Sequence, residues 1–188
     1  MKLSTPPKIC ISGAAHLEGC GPLAGERARE LGSALASSGA VILTGATTGF
    51  PLLAAQAAKE AGGTVIGFSP AGSEKEHREV YHLPTEYHDV VVYTGFGYAG
   101  SELLLARSAD AVCVGCGRIG AIHEFTVAFS EGKPVGVLEG PWKTDDMVKE
   151  LIVHSGRATE HVVFEEHPAK LTSALLKTIA RMHAEEHV

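Results

Sequence analysis

The sequence predicts an α/β domain: a doubly wound, mainly parallel sheet of about seven strands, Rossmann-like, with helices on both faces. Three observations predict it. Short apolar runs alternate with segments of helical spacing along the whole chain. Glycines cluster directly after those runs, where a strand hands over to a helix. The 188 residues contain no composition break or low-complexity stretch, so one domain, 1–188, is expected, large enough for a full core.

Residues 8–12 (KICIS) are an apolar run that reads as the first strand, and Gly13-Ala14-Ala15 is the turn after it. Helical spacing over 23–36 puts Ala28, Leu31 and Leu35 on one face, and Gly39 ends that helix. A second strand at 40–43 runs into a small-residue turn, Thr44 to Gly49, then an alanine-rich helix at 51–61 and a third strand at 64–68. Residues 69–89 are polar and show no period. A loop of that length in a compact domain is usually functional or mobile, and this one is long enough to cover a ligand. Strand four is expected at 90–93, a glycine turn at 94–100, and a helix at 101–108 carrying Leu103, Leu104 and Leu105. Three consecutive leucines cannot all face one sheet, so surplus apolar surface and a homo-oligomer, dimer or tetramer, are expected.

The central stretch is 111–138. Its strand, 111–114, leads through Gly115-Cys116-Gly117-Arg118-Ile119-Gly120 into a helix at 121–131. Ile122, Phe125 and Phe129 form that helix's sheet-facing stripe, with Val127 and Ala128 pointing elsewhere. A strand follows at 135–138. Thr144 then reads as the N-cap of a helix with Met147, Val148, Leu151 and Ile152 on its face. A last strand at 161–164 and a helix from Pro168, with Leu171, Leu175, Ile179 and Met182, complete the pattern.

Composition excludes several functions. The net charge is -6, with no Lys/Arg cluster and no aromatic-basic interleaving, so no nucleic-acid partner is expected. No apolar run is long enough for a membrane span, and MKLSTPPK lacks a signal-peptide core, so no membrane association is expected. Four cysteines without framework spacing predict a reducing compartment, the cytoplasm.

In a parallel sheet, ligands bind beyond the carboxyl ends of the strands, and all four small-residue turns follow strands. Turns opening helices offer backbone N–H groups and a favourable dipole to an anion. The expected partner is therefore a small phosphate-bearing ligand, nucleotide or pterin-type, with no cofactor fixed beyond that. The candidate ligand-binding residues are Gly13 and Ala14 in the first turn, and Gly45, Ala46, Thr47, Thr48 and Gly49 in the second. Gly95, Gly97 and Ser101 are the candidates around the third turn. Gly117, Arg118, Ile119, Gly120 and Ala121 are those around the fourth. Glu124, about one turn into its helix, is the candidate catalytic carboxylate.

Other patterns carry less. Gly95/Gly97/Gly100 and Gly115/Gly117/Gly120 both match G-x-G-x-x-G, and Glu139 ends the strand after the second match. That allows an NAD-linked oxidoreductase, although the fingerprint normally opens the sheet. Cys113-Val-Gly-Cys116 is a lone CxxC, with Cys113 inside a strand as a small buried residue. His77, His82 and His88 share the long loop with Glu74, Glu76, Glu79 and Glu86, but their spacing fits no standard metal site.

Arg107-Ser-Ala-Asp-Ala111, a strand, then Gly117-Arg-Ile-Gly-Ala-Ile-His-Glu124 resembles the LOG family of the SLOG superfamily (lysine decarboxylase-like). Its members carry R-x-S-D-A, a strand, and P-G-G-x-G-T-x-x-E. The Thr44–Gly49 turn is similar to the family's second glycine turn, and the likeness covers roughly residues 8 to 140, the βα order fitting throughout. It is strongest to an uncharacterised branch that also resembles molybdenum cofactor carrier proteins. The resemblance implies a Rossmann-like sheet binding a nucleotide or similar phosphate ligand, and a homo-oligomer. It also implies a reaction, phosphoribohydrolysis of AMP or cytokinin riboside monophosphates, with Glu124 as the motif glutamate. The chain departs from the pattern at Cys116-Gly117-Arg118, at Ala121, and at Ser101, where the family has its catalytic arginine. These departures predict ligand binding with weak or no hydrolysis. Arg118 is left as the turn's own source of positive charge.

Overall fold

A computed structural model describes residues 5–185; the first residues of MKLSTPPK, expected to lack a signal-peptide core, lie partly outside the described residues. The strands are β1 (Lys8–Ser12), β2 (Val41–Thr44), β3 (Thr64–Ser69), β4 (Val90–Tyr93), β5 (Ala111–Val114), β6 (Val135–Leu138) and β7 (Val162–Glu165). The helices are α1 (Ala24–Ser37), α2 (Phe50–Glu60), α3 (Glu74–Glu79), α4 (Gly97–Ser108), α5 (Ile119–Ser130), α6 (Thr144–Ser155) and α7 (Pro168–Glu185). They build the expected doubly wound α/β fold. The strands form one sheet in the order β4-β3-β2-β1-β5-β6-β7. Every neighbouring pair is parallel.

Strand alternation sends side chains into two cores. Ile9, Ile11, Ile42 and Cys113 join α1, α2 and α7 on one face. Cys10, Leu43, Val112 and Val114 join α4, α5 and α6 on the other. Strands buried on both faces must be apolar throughout, which is why β5 and β6 contain no polar residue. Ala28, Leu31 and Leu35 of α1 are fully buried, as their spacing predicts. The last helix packs on the first, with Leu171, Leu175 and Ile179 closing the same core.

The differences from the sequence pattern have physical causes. The segment at 69–89 is not structureless: α3 sits inside it, capped by the Ser73 hydroxyl, which accepts the Glu76 N–H at 3.2 Å. Six residues are too few to show a hydrophobic period. Helix α4 begins at Gly97, so the third turn is shorter than expected. Ala128 of α5 is fully buried against the sheet, because an alanine fits where the stripe widens. Of the three leucines on α4, Leu105 is buried while Leu103 and Leu104 are exposed. Thr144 opens α6, but its hydroxyl leaves the helix to bond Gly117.

The sheet's order reverses between β1 and β5, and this switch point positions the ligand edge. The turns after these two strands are clamped together. Gly115 N–H donates to Ser12 C=O at 2.9 Å, and Ala14 N–H donates to Cys116 C=O at 2.7 Å. A disulfide joins Cys20 to Cys116, while Cys10 and Cys113 stay buried as thiols. The pairing of β1 with β5 brings Cys20 and Cys116 together although 96 residues separate them, a proximity no sequence spacing reveals. Beneath the turns lies Phe50, fully buried at the start of α2. A Cβ on Gly13 or Gly115 would overlap its ring.

Replacing Gly115 with alanine is therefore expected to destabilise the fold by about 1–3 kcal/mol through overpacking. Urea denaturation reads this as a lower midpoint at unchanged slope. An unshifted midpoint would show that the ring has room to move.

Candidate functional site

Beyond the carboxyl ends of β1, β2 and β5 lies a cavity of about 240 Å³. Its walls come from four segments: the β1–α1 loop, the β2–α2 turn, the start of α4 and the start of α5. Gly13, Ala14, Gly45 and Thr47 line it from the first two turns. Ser101 lines it from α4, and Arg118, Gly120, Ala121 and Glu124 line it from α5 and its N-cap.

The other expected residues stand elsewhere. Ala46 is fully buried, and its N–H is taken by the Thr44 hydroxyl at 3.1 Å. Thr48 donates its hydroxyl to Ala15 C=O at 2.8 Å. Gly49 turns the chain into α2 with φ +69° and packs directly on the backbone of Ala14 and Ala15, which only glycine permits. Gly95 and Gly97 spend their N–H groups on Ala71 and Pro70, at 2.9 and 3.0 Å. Gly117 sits just behind the wall with its N–H and C=O both on the Thr144 hydroxyl at 2.8 Å. Ile119 is 84% exposed and faces a neighbouring cavity. Glu139 is paired with Lys149 at 2.6 Å and lies outside the cavity. Two of the three loop histidines are occupied too, His77 between Ser69 and Pro84, and His88 between Thr44 and Glu86. Among the described residues, no group of three or more His, Cys, Asp or Glu side chains is placed to hold a metal ion.

What remains open in the cavity is the start of α5. Helices leave their first N–H groups without intrahelical partners. Here the nearby carbonyls are already used, Cys116 by Ala14 and Gly117 by Thr144. The Gly120 and Ala121 N–H groups carry no hydrogen bond among the described residues. Open N–H groups at the positive end of a helix dipole are an arrangement that favours an anion, a cradle for one in principle. Arg118 stands at the mouth, its guanidinium donating to Glu18 C=O at 2.9 Å.

Glu124 lies deeper, 7% exposed, and accepts a hydrogen bond from the Ser12 hydroxyl. Burial pushes its carboxyl pKa up to about 8; the Ser12 bond opposes that rise and Glu102 adds to it. The acid is therefore mostly neutral at neutral pH. Ser101 donates its hydroxyl to Tyr98 C=O at 3.0 Å and supplies no charge. Ser12, Tyr98, Glu102 and His16 are site residues the motifs did not single out. Ser12 and His16 flank the first turn, and Tyr98 and Glu102 flank the third, so inspecting turn neighbours would have found them.

The SLOG cluster4 family pattern matches residues 6–172. This chain belongs to the SLOG cluster4 family. Among solved structures it is similar to the molybdenum cofactor binding protein from the phototrophic bacterium Rippkaea orientalis. That likeness has a TM-score of 0.74 at 26% identity and covers 95% of this chain and 99% of that one. The molybdenum cofactor carrier protein from Chlamydomonas reinhardtii is similar with the same TM-score of 0.74 and 26% identity, covering 94% and 99% of the two chains. DNA processing protein A from Helicobacter pylori, at 20% identity and a TM-score of 0.67, covering 92% of this chain and 81% of that one, shares the fold alone. No curated protein matches this SLOG chain. None of its described helices is long and apolar enough to cross a membrane.

The raised acid makes stability depend on pH in a definite direction. In the unfolded chain Glu124 loses its proton near its ordinary pKa of 4.5, while the folded chain keeps it up to about 8. Below the lower value both states are protonated. As pH rises through the window only the unfolded state ionises, so this group's contribution falls with pH. The isosteric Glu124→Gln variant is expected to lose less thermal stability than wild type between about pH 5 and about pH 8. Parallel melting curves for the two proteins across that range would refute the buried neutral acid.

Proposed function

We propose that this SLOG protein binds a small phosphate-bearing ligand in the switch-point cavity and carries or presents it, with little or no hydrolysis. The free Gly120 and Ala121 N–H groups, with Arg118 beside them, carry this reading. The cavity of about 240 Å³ suits one phosphate-bearing group or ring rather than a dinucleotide. The ligand class is a nucleotide or a pterin-type phosphate. The two neighbours at 26% identity favour the pterin, because one is a molybdenum cofactor binding protein and the other a molybdenum cofactor carrier, and that cofactor is a phosphorylated pterin.

Hydrolysis of an N-glycosidic bond needs charge near the departing sugar, and removing one such stabilising group typically costs about 3–4 kcal/mol. Ser101 provides none, and Glu124 is mostly neutral near pH 7. A phosphoribohydrolase is the second reading, favoured by one observation. Glu102 lines the same cavity as the protonated Glu124, and a carboxylic acid facing a second carboxylate is the pairing that glycoside hydrolysis uses.

Native mass spectrometry of freshly purified protein is expected to show a co-purifying phosphate compound, and AMP incubated with wild type is expected to release only traces of adenine. Rapid release that vanishes in Glu124→Gln would establish the enzyme instead. Self-association also belongs to this reading, since α4 presents Leu103 and Leu104 to solvent with Phe96 71% exposed beside them. Light scattering is expected to give a multiple of 19.7 kDa; the monomer mass at micromolar concentration would count against it.

A further inference from the structure

A second cavity of about 550 Å³ adjoins the first between α4 and α5. Tyr98, Glu102 and Gly120 belong to both. Its other walls are largely apolar, with Ile119 and Ile122 from α5. Tyr98 and Ile119 are 53% and 84% exposed, an unusual amount of apolar surface to leave at a cavity rim. A flat ring lying against Tyr98 would cover it.

The wall shared by the two cavities carries one aimed polar group. The Glu102 carboxylate has its Oε2 pinned by His123 Nδ1 at 2.9 Å. Its Oε1 lies over Gly120, close enough that a Cβ there would come within 2.7 Å. That oxygen has no hydrogen-bond partner among the described residues. His123 holds the carboxylate still, and Gly120 leaves it uncovered.

We propose that Glu102 is a specificity residue that reads the ring of the bound ligand, selecting fused rings with a 2-amino-4-oxo-pyrimidine edge, the edge shared by guanine and pterins. This inference rests on the phosphate-ligand reading above and adds the ring. Such an edge places a ring N–H beside an exocyclic NH₂. The two donors match the two acceptor oxygens of one carboxylate. Adenine presents an unprotonated ring nitrogen at the same place, which repels a carboxylate. Hypoxanthine keeps the ring N–H and lacks the amino group, so it makes half of the contact. The phosphate lies in the first cavity and the ring in the second, with Glu102 at their junction.

The test is calorimetric titration of the full chain with GMP, IMP, AMP and 7,8-dihydroneopterin monophosphate, with inorganic phosphate as a further probe. GMP and the pterin phosphate are expected to bind roughly tenfold or more tightly than AMP, with IMP between them. Glu102→Gln keeps the side chain's shape and is expected to remove that preference, GMP falling about tenfold relative to AMP. His123→Ala, which frees the carboxylate without removing it, is expected to weaken the preference less. The tighter of GMP and the pterin phosphate identifies the source of the ring. Equal affinity for AMP and GMP in wild type, or an equal loss for all four in Glu102→Gln, overturns the ring inference and leaves the phosphate site standing. No binding by any of the four or by inorganic phosphate overturns both.

Discussion

The ligand edge depends on one contact, the ring of Phe50 seated against two glycines. Pairing of β1 with β5 brings Gly13 and Gly115 side by side at the point where the strand order reverses. An aromatic ring fills the space that two Cβ atoms would occupy. Burying such a side chain contributes roughly 1.5–3 kcal/mol, and here the same burial sets the spacing of two turns. The hydrogen bonds between those turns and the Cys20–Cys116 link act on a separation already defined by packing. The cavity is thus a consequence of core packing, and its walls have little freedom to drift.

Inside that frame the charges favour the proposed holding of a ligand over reaction with it. The open N–H groups at the start of α5 need no particular side chain to attract an anion. The carboxyl of Glu124 is kept neutral by the same apolar surroundings that make the frame stiff. A deep neutral acid donates or accepts hydrogen bonds without demanding a counter-ion. The negative character of the site lies instead at Glu102, nearer the solvent and oriented by His123. Arg118 stands at the mouth, and the Glu102 carboxylate lies over Gly120, beside the open N–H groups.

Much of this was legible in the sequence, because the signals that specify a parallel sheet are local. Continuous apolar runs such as Ala111–Val114 and the glycines after them mark strand ends without any knowledge of neighbours. The four turns therefore point to one edge. Which turn residues face the cavity was not legible. That depends largely on partners far away in the chain: Thr144 occupies Gly117, and Ala71 and Pro70 occupy Gly95 and Gly97, while the nearby Thr44 occupies the N–H of Ala46. Each of these hydrogen bonds withdraws a donor that its sequence context advertised. Glu102 was hidden for the opposite reason, since a lone acid beside Ser101 looks like a solvated helix position until α5 is packed against it. The short α3 was hidden because six polar residues carry no hydrophobic period.

The docking of α7 on α1 has a consequence for how the chain is made. One of the two cores is enclosed by α1 and α7, so it cannot be completed before α7 has been made. A ribosome adding about 5–20 residues per second delivers α7 roughly seven to thirty seconds after α1. Through that interval Ala28, Leu31 and Leu35 have α2 as their helical neighbour, and the flank that will receive Leu171 and Leu175 stays wet. The nascent protein therefore carries a transient apolar groove on α1 until α7 has been made and docks there.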